Sequence, residues 1–328
     1  INHRDDNYSK YLSLNEQLFQ KKFIGIQTKR DSWVDSFNKS KSISNSERLI
    51  ENFNNQIDNS YSERNNNQLD IKWSDDLKRK LNKGIKIRLF EEPNLKLVMY
   101  RPFTKKWLYF EKDIVARPGK GMEYFEFDNK AINLNGTSAR KEFGVLITKV
   151  VPDANMMDAG TQSFPFRYAD GTKNLVATWN LDYEDEFNYI YAILHSVEYR
   201  EKYVNDLQKT LPRIPLVNNK EKYVEIGKEL ADLHLNYEDV PAYEGVNIIF
   251  KSDNPSFKVK KMKHPKRGQL DTIIFNEDIV ISDIPERAYE YVVNGKPAIE
   301  WIIDQYQVKK DKKSGIVDDP NEFSDNPK

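Results

Sequence analysis

Two stretches of this sequence carry charge in a pattern suited to polyanion chemistry. Between Arg101 and Lys141 nine Lys/Arg stand against five Asp/Glu, with Trp107, Tyr109, Tyr124 and Phe125 interleaved. Residues 258–267 read KVKKMKHPKR, placing Lys258, Lys260, Lys261, Lys263, Lys266 and Arg267 together with no acid. Lysines so placed neutralise phosphates, while Arg, Asn, Gln and Ser side chains hydrogen-bond base edges. A solvated lysine-rich surface has the same composition, so charge alone leaves both readings open.

Covalent and metal chemistry find less support. There is no cysteine, which removes thiolate catalysis, disulfides and Cys-ligated zinc. Arg117-Pro118-Gly119-Lys120-Gly121 has glycines and a lysine, but not the spacing of a phosphate-cradling P-loop. The histidines His3, His195, His234 and His264 show no paired ligand spacing. His195 follows Leu194 on an amphipathic helix and reads as structural. His234, in Ala231-Asp232-Leu233-His234, reads as a hydrogen-bonding residue at a helix end. Asp318, Asp319 and Glu322, close to Lys309, Lys310, Lys312 and Lys313, could be drawn as a nuclease or metal site. Clustered acids in a glycine- and proline-broken tail are more often solvated. The expectation is therefore no catalytic residue and no metal.

Positioning such groups falls to a set of elements whose centre is 182–216. Phe187, Ile190, Tyr191 and Leu194 recur at i, i+3, i+4 and i+7, and Tyr199, Tyr203, Val204 and Leu207 continue the face. Asp182, Glu184 and Asp185 crowd the front, where the helix dipole favours negative charge. Leu211-Pro212-Arg213-Ile214-Pro215 ends the helix, because proline lacks the required N–H. Further helices are expected at 44–57, at 73–83 with Gly84 as C-cap, and at 221–235 with Tyr223, Ile226, Leu230 and Leu233 on one face. Another runs from Pro285 through Val293 to Asn294-Gly295, and a last one starts at Pro297. Alternation predicts a hairpin over 85–99, strands at 107–110, 123–127, 143–151 and 163–168, and short strands at 246–250, 272–276 and 279–281. Loops are expected at 38–46 and 59–68, and a surface strap from Asp311.

A chain of 328 residues with 38% hydrophobic and 12% aromatic content can build one large or two modest domains. The balance of 51 basic and 51 acidic residues argues against a purely electrostatic nucleic-acid binder, though not against local patches. No apolar run is long enough to span a bilayer and INHRDDNYSK is no signal peptide, so a cytoplasmic protein without a membrane partner is expected. A start at Ile1 suggests a piece of a longer chain. The fold class is mixed α/β (α+β), a β-rich part with long loops packed on a helical scaffold. Its divisions are 1–70 (connector), 71–180 (β-rich), 181–310 (helical scaffold with short strands) and 311–328 (tail).

Several motifs taken together resemble one family. They are Tyr100-Arg101-Pro102-Phe103, Phe164-Pro165-Phe166, the 188–216 run with its Leu-Pro-Arg-Ile-Pro, Ala231-Asp232-Leu233-His234-Leu235-Asn236-Tyr237-Glu238, and YVVNGKPAIEWIIDQYQVKKDKKSGIVDDP at 291–320. The set resembles the C-terminal specificity region of Type ISP restriction–modification enzymes, over about residues 20–321. These are single polypeptides with nuclease, ATP-driven translocase, adenine methyltransferase and target-recognition parts. Residues 25–34 resemble the segment that joins methyltransferase to recognition domain. There the family pattern favours Asn where this chain has Lys29, and Tyr-Asn where it has Asp35-Ser36. The resemblance implies a target-recognition domain for duplex DNA that is not itself an enzyme. S-adenosylmethionine, ATP and Mg2+ would belong to the parent polypeptide, and its methyltransferase and translocase parts would be partners.

Charge and loop placement, rather than family motif, select the DNA-contacting candidates. Base readers are expected over 105–173: Lys105, Lys106, Arg117, Lys120, Asn135, Ser138, Arg140, Lys141, Gln162, Arg167 and Lys173. Lys260, Lys261, Lys263, Lys266 and Arg267 would hold the backbone. A docking module of a DNA-processing motor, with no DNA contact, is the alternative.

Overall fold

Asp182 opens the central helix, Tyr183–His195, by accepting the Asp185 amide on its side chain at 2.8 Å. From Glu186 to Leu194 every residue is buried, so over that stretch the helix presents no solvent face. On one side lies a four-stranded antiparallel sheet in the order Phe23–Ile24, Gln162–Pro165, Ala131–Leu134, Val145–Thr148. Tyr191 ties helix to sheet, its hydroxyl accepting the Ile147 amide at 3.1 Å. The helix Lys220–Leu235 packs along the central helix and also touches Val145–Thr148. The resulting core draws Tyr8, Leu14 and Phe19 from the start of the chain, Ile132 and Phe164 from the sheet, and Phe187 and Leu207 from the helices. The computed structural model describes residues 7–59, 71–90, 92, 94–176 and 178–323. The expected loop at 59–68 lies, beyond Asn59, outside the described residues, as do the hairpin-turn residues Glu91 and Pro93 and the end of the tail.

A second core stands beside the first. The helix Lys39–Asp58 buries Leu49, Ile50 and Phe53 against Trp33, Val34, Leu108 and Tyr109, and Leu77 of the helix Asp75–Asn82 closes it. Its sheet joins Leu95–Arg101 to Thr104–Tyr109 and then to Asp35–Ser36. A third, smaller sheet pairs Asn247–Phe250 with Ile279–Ser282, which also holds Ile273–Ile274. Asn247–Phe250 is its edge, with Ile248, Ile249 and Phe250 exposed. Among the described residues no helix is long and apolar enough to cross a membrane. The mixed α/β class is as expected.

Several local expectations are corrected. The hairpin is formed by Leu95–Arg101 and Thr104–Tyr109, with Pro102-Phe103 at its turn, and residues 85–90 are not strand. Residues 38–46 are not loop: Asn38 accepts the Lys41 amide at 3.0 Å and starts the helix at Lys39. Gly121–Phe125 is a 3-10 turn where a strand at 123–127 was expected. The face at 187–207 is three helices, interrupted at Ser196, which caps Val197–Lys202, and at Tyr203, before Val204–Leu207. The expected helix from Pro285 is a short 3-10 turn followed by a hairpin, Val292–Val293 with Lys296–Pro297. Asn294 and Gly295 take φ of +53° and +73° between the strands, the backbone that two-residue hairpins favour and Asn-Gly supplies. In Lys220–Leu235 the buried face is Val224, Gly227, Ala231 and His234, leaving Ile226 and Leu233 exposed. Small residues win there because the helices nearly touch: a Cβ on Gly227 would lie 2.0 Å from the Asn188 carbonyl oxygen.

Candidate nucleic-acid interface

The Tyr100-Arg101-Pro102-Phe103 motif is the hairpin turn itself. Phe103 adopts φ +57° and sets its ring against His234, Tyr237 and Tyr291. Beyond the turn the strand carries Lys105 and Lys106, and both are buried. Lys105 pairs with Glu238 and lies over the Tyr237 ring. Lys106 pairs with Asp318 at 2.6 Å, its ammonium 4.1 Å from the Tyr100 ring centre and 4.9 Å from that of Phe37. Arg101 binds Asp153 at 2.9 Å and lies 3.8 Å from Asp31. Burial, with Asp31 adding repulsion and Arg101 opposing, pushes the Asp153 carboxyl up to about 6. Burial also lifts Asp35 well above the carboxylate range, helped by Asp31 and Asp153. The motif therefore builds an internal charge network whose lysines face inward.

The loop candidates divide. Arg117 and Lys120 are exposed, and Arg117 is held by reciprocal backbone bonds with Gln27 at 2.8 and 3.1 Å. Ser138, Arg140 and Lys141 are exposed on one loop. Asp158 accepts the Arg140 and Lys141 amides at 2.6 and 2.9 Å, while Ser138 takes φ +68°. Arg167 and Lys173 are exposed and bridge each other across a turn, Arg167 donating to the Gly171 carbonyl and Lys173 lying over Tyr183. Asn135 and Gln162 are buried instead. Asn135 accepts the Gly144 amide at 2.7 Å and donates to Asn294 at 3.2 Å; Gln162 accepts Lys22 Nζ. Hydrogen bonds thus join Arg140 and Lys141 to the Asn294 turn, and Arg167 to Lys173, while Lys105, Lys106, Asn135 and Gln162 are internal.

The basic run is a fixed strip. Val259 and Met262 point into a small apolar core, and Lys258, Lys260, Lys261, Lys263, Lys266 and Arg267 are exposed. Asn321 clamps Val259 on both backbone groups at 2.8 and 2.7 Å, the Lys260 carbonyl accepts Val308, and Lys263 pairs with Ile274. His264 bridges the Thr272 carbonyl and Glu300 at 2.9 and 2.8 Å. None of the run's lysines forms an ion pair among the described residues.

The tail is docked rather than strapped loosely. Lys309–Lys310 and Val317–Asp318 form a hairpin, and Ile316 is buried in the second core. Asp318 serves Lys106, Ser36 and Phe37, Asp319 caps a 3-10 turn, and Glu322 pairs with Lys41 at 2.7 Å. These acids are thus separately engaged, and no group of three metal-ligating side chains occurs among the described residues. His195 is half-buried and His234 buried; the Tyr191 hydroxyl meets His234 Nδ1 at 2.7 Å, and burial lowers His234 to about 4. Arg213 holds the Tyr11 carbonyl at 2.9 Å, which makes it structural. Between the hairpin and residues 27–35 opens a cleft of about 850 Å³. Lys29, Lys72, Lys309, Lys310, Lys312 and Lys313 line it, a convergence invisible in sequence because it joins positions nearly 300 residues apart. Lys29 sits at φ +60°, a conformation in which Asn is enriched, which accounts for the family preference there.

A mixed α/β domain that displays exposed basic loops and a fixed basic strip has the attributes of a specificity domain. The model of the Type ISP C-terminal specificity domain matches residues 17–328, and the chain belongs to that family. Two solved structures cover all of it: a nuclease-deletion mutant of the Type ISP restriction-modification enzyme LlaGI in complex with a DNA substrate mimic (46% identity, TM-score 0.92) and the ATP-dependent Type ISP enzyme LlaBIII bound to DNA (41%, 0.90). The chain spans 27% and 23% of those two chains. The DrdV–DNA complex, at 22% identity, shares the fold over 98% of this chain and 36% of its own (TM-score 0.83). Comparison with curated proteins returned no match.

Proposed function

We propose that this chain is the target-recognition part of a longer single-chain restriction–modification enzyme and reads a short asymmetric duplex sequence. The observation that carries the reading is full-length similarity to the corresponding part of LlaGI in its complex with a DNA substrate mimic. In this reading Arg117, Lys120, Ser138, Arg140, Lys141, Arg167 and Lys173 face the bases, and Lys260, Lys261, Lys263, Lys266 and Arg267 hold phosphates. Lys105, Lys106, Asn135 and Gln162 act behind them, fixing the loops. The domain would position a target adenine for methylation and license translocation and cleavage by other parts of the polypeptide. Those parts would take S-adenosylmethionine, ATP and Mg2+ and work in the cytoplasm.

Duplex binding at several salt concentrations tests this. Arg140→Ala should change which base is preferred, at about 1–3 kcal/mol if Arg140 is bidentate to guanine. Lys261→Ala with Lys263→Ala should weaken binding to all sequences alike and lower the salt slope by about 0.9 per phosphate no longer neutralised. Binding with neither sequence preference nor salt slope would instead favour a docking module, for which the exposed apolar strand Asn247–Phe250 speaks.

A further inference from the structure

The cleft between the tail hairpin and residues 27–35 has no part in the base-reading loops or the basic strip. Seven lysines line it, and the six besides the Asp318-paired Lys106 come from four places: Lys29 from the loop before residues 31–34, Lys72 from the lead into Asp75–Asn82, Lys309 and Lys310 from the hairpin strand, Lys312 and Lys313 from its turn. None of these six forms an ion pair among the described residues. The acids in the same cleft have other hydrogen-bond partners, although Asp311 also feels Lys72 and Lys309 feels Asp318. Asp318 neutralises Lys106; Asp311 accepts Lys313 N, Ser314 N and Ser314 Oγ within its own turn. Asp31 accepts Thr28 Oγ1 and the Tyr100 hydroxyl. Asp35, fully buried, is held toward its neutral form. Burial, with Lys106 adding repulsion and Asp304 and Asp318 opposing, holds the Lys309 ammonium below its usual range.

Position adds a second argument. Val308, immediately before the hairpin, donates to the Lys260 carbonyl at 2.9 Å, and Asn321, just after it, clamps Val259. The cleft therefore abuts the Lys260–Lys263 strip at one end. Gln27, which also lines the cleft, is hydrogen-bonded through its backbone to Arg117. The cleft thus adjoins, through hydrogen-bonded backbone, both groups of cations proposed above to meet the same duplex.

We infer that Lys29, Lys72, Lys309, Lys310, Lys312 and Lys313 form a phosphate-binding cleft that carries the backbone of the bound DNA between the Arg117 loop and the Lys260–Lys263 strip. It rests on the DNA-reading function above and extends it to residues outside the loops. A compact, strongly hydrated ammonium suits backbone holding and carries no base information. The cleft adds affinity and register while the loops choose the sequence.

The test is a salt titration of binding to a long random-sequence duplex and to a duplex selected from a random pool, with wild type, the Lys310→Ala/Lys312→Ala/Lys313→Ala variant and the same triple to Arg. The alanine triple should flatten the slope of log affinity against log salt by about 0.9 for each phosphate it leaves unneutralised. It should keep the base preference and the thermal midpoint, and the Arg triple should keep the wild-type slope. Lys72→Ala, on a separate element, should flatten the slope again if the hairpin variant proves poorly folded. Wild-type slopes in both the alanine triple and Lys72→Ala, with wild type itself binding selectively, overturn the cleft and leave the recognition reading intact. A wild type without selectivity or salt slope overturns that reading first. Inorganic triphosphate shares the chemistry; if it binds wild type and not the triple while DNA slopes stay equal, the cleft serves a free anion and the inference fails.

Discussion

Replacing Lys106 by Met separates a structural lysine from a DNA-reading one. The Lys106 ammonium lies over the Tyr100 and Phe37 rings, and methionine keeps an unbranched side chain there while deleting the charge and its contacts with both rings. The largest loss is the 2.6 Å pair to Asp318, whose members are 10% and 16% exposed. Removing one partner of a buried pair costs about 3–5 kcal/mol, mostly because the other charge is left uncompensated. Asp318 keeps hydrogen bonds from the Phe37 amide at 3.0 Å and the Ser36 hydroxyl at 3.2 Å, and it retains some solvent. Each such bond to a charged group contributes about 1.5–3 kcal/mol, so the loss should fall below that range, at about 2–3 kcal/mol. Urea unfolding reads this as a lower midpoint at constant slope. Lys106→Met/Asp318→Asn should recover most of the loss, since no orphaned carboxylate remains and the amide oxygen still accepts the Phe37 amide. Base preference in a duplex competition should not move. An unchanged midpoint together with an altered preferred base would refute the reasoning and return Lys106 to the recognition surface.

Gly227→Ala should destabilise the protein by about 1–3 kcal/mol, the usual cost of overpacking, although alanine gains about 1 kcal/mol in helix propensity. The clash at 2.0 Å is with backbone that cannot rotate away, and a neutral or raised denaturation midpoint would contradict it. His234 supplies a pH signature. Its folded pKa of about 4 lies below the unfolded value of 6.5, so its neutral form stabilises the fold above pH 6.5 and that contribution is lost as pH falls toward 4. Asp153 opposes this trend, and the measurement is therefore the stability difference between wild type and His234→Gln, in which Asp153 cancels. That difference should shrink by roughly 3 kcal/mol across the window, and a flat difference would exclude the titration. Lys263→Ala alone should lower the DNA salt slope by about 0.9 without touching base preference.

Much of the scaffold was legible because periodicity and capping are local. The central helix was marked by Phe187, Ile190 and Tyr191 and by the acids before it, and the edge strand by residues 246–250. The boundaries failed where a partner decides. Asn38 reads as loop until the Lys41 amide is seen to use its side chain, and Val292 and Val293 read as helix although Asn294-Gly295 already marks a hairpin. The helical face at 223–233 was chosen by hydrophobicity, whereas close approach to Asn188 selects glycine and alanine. At the candidate interface, charge composition could not tell Lys105 and Lys106 from Arg140 and Lys141. Burial, set by Glu238 and Asp318 more than a hundred residues away, makes that distinction.

The strand Asn247–Phe250 leaves one row of backbone donors and acceptors unpaired, flanked by Ile248, Ile249 and Phe250, with no charge until Lys251. Sheet edges of this kind template pairing with a second copy unless something covers or charges them. In the isolated chain this edge should favour self-association, and Ile249→Lys should raise the concentration at which the chain stays monomeric, as light scattering would read.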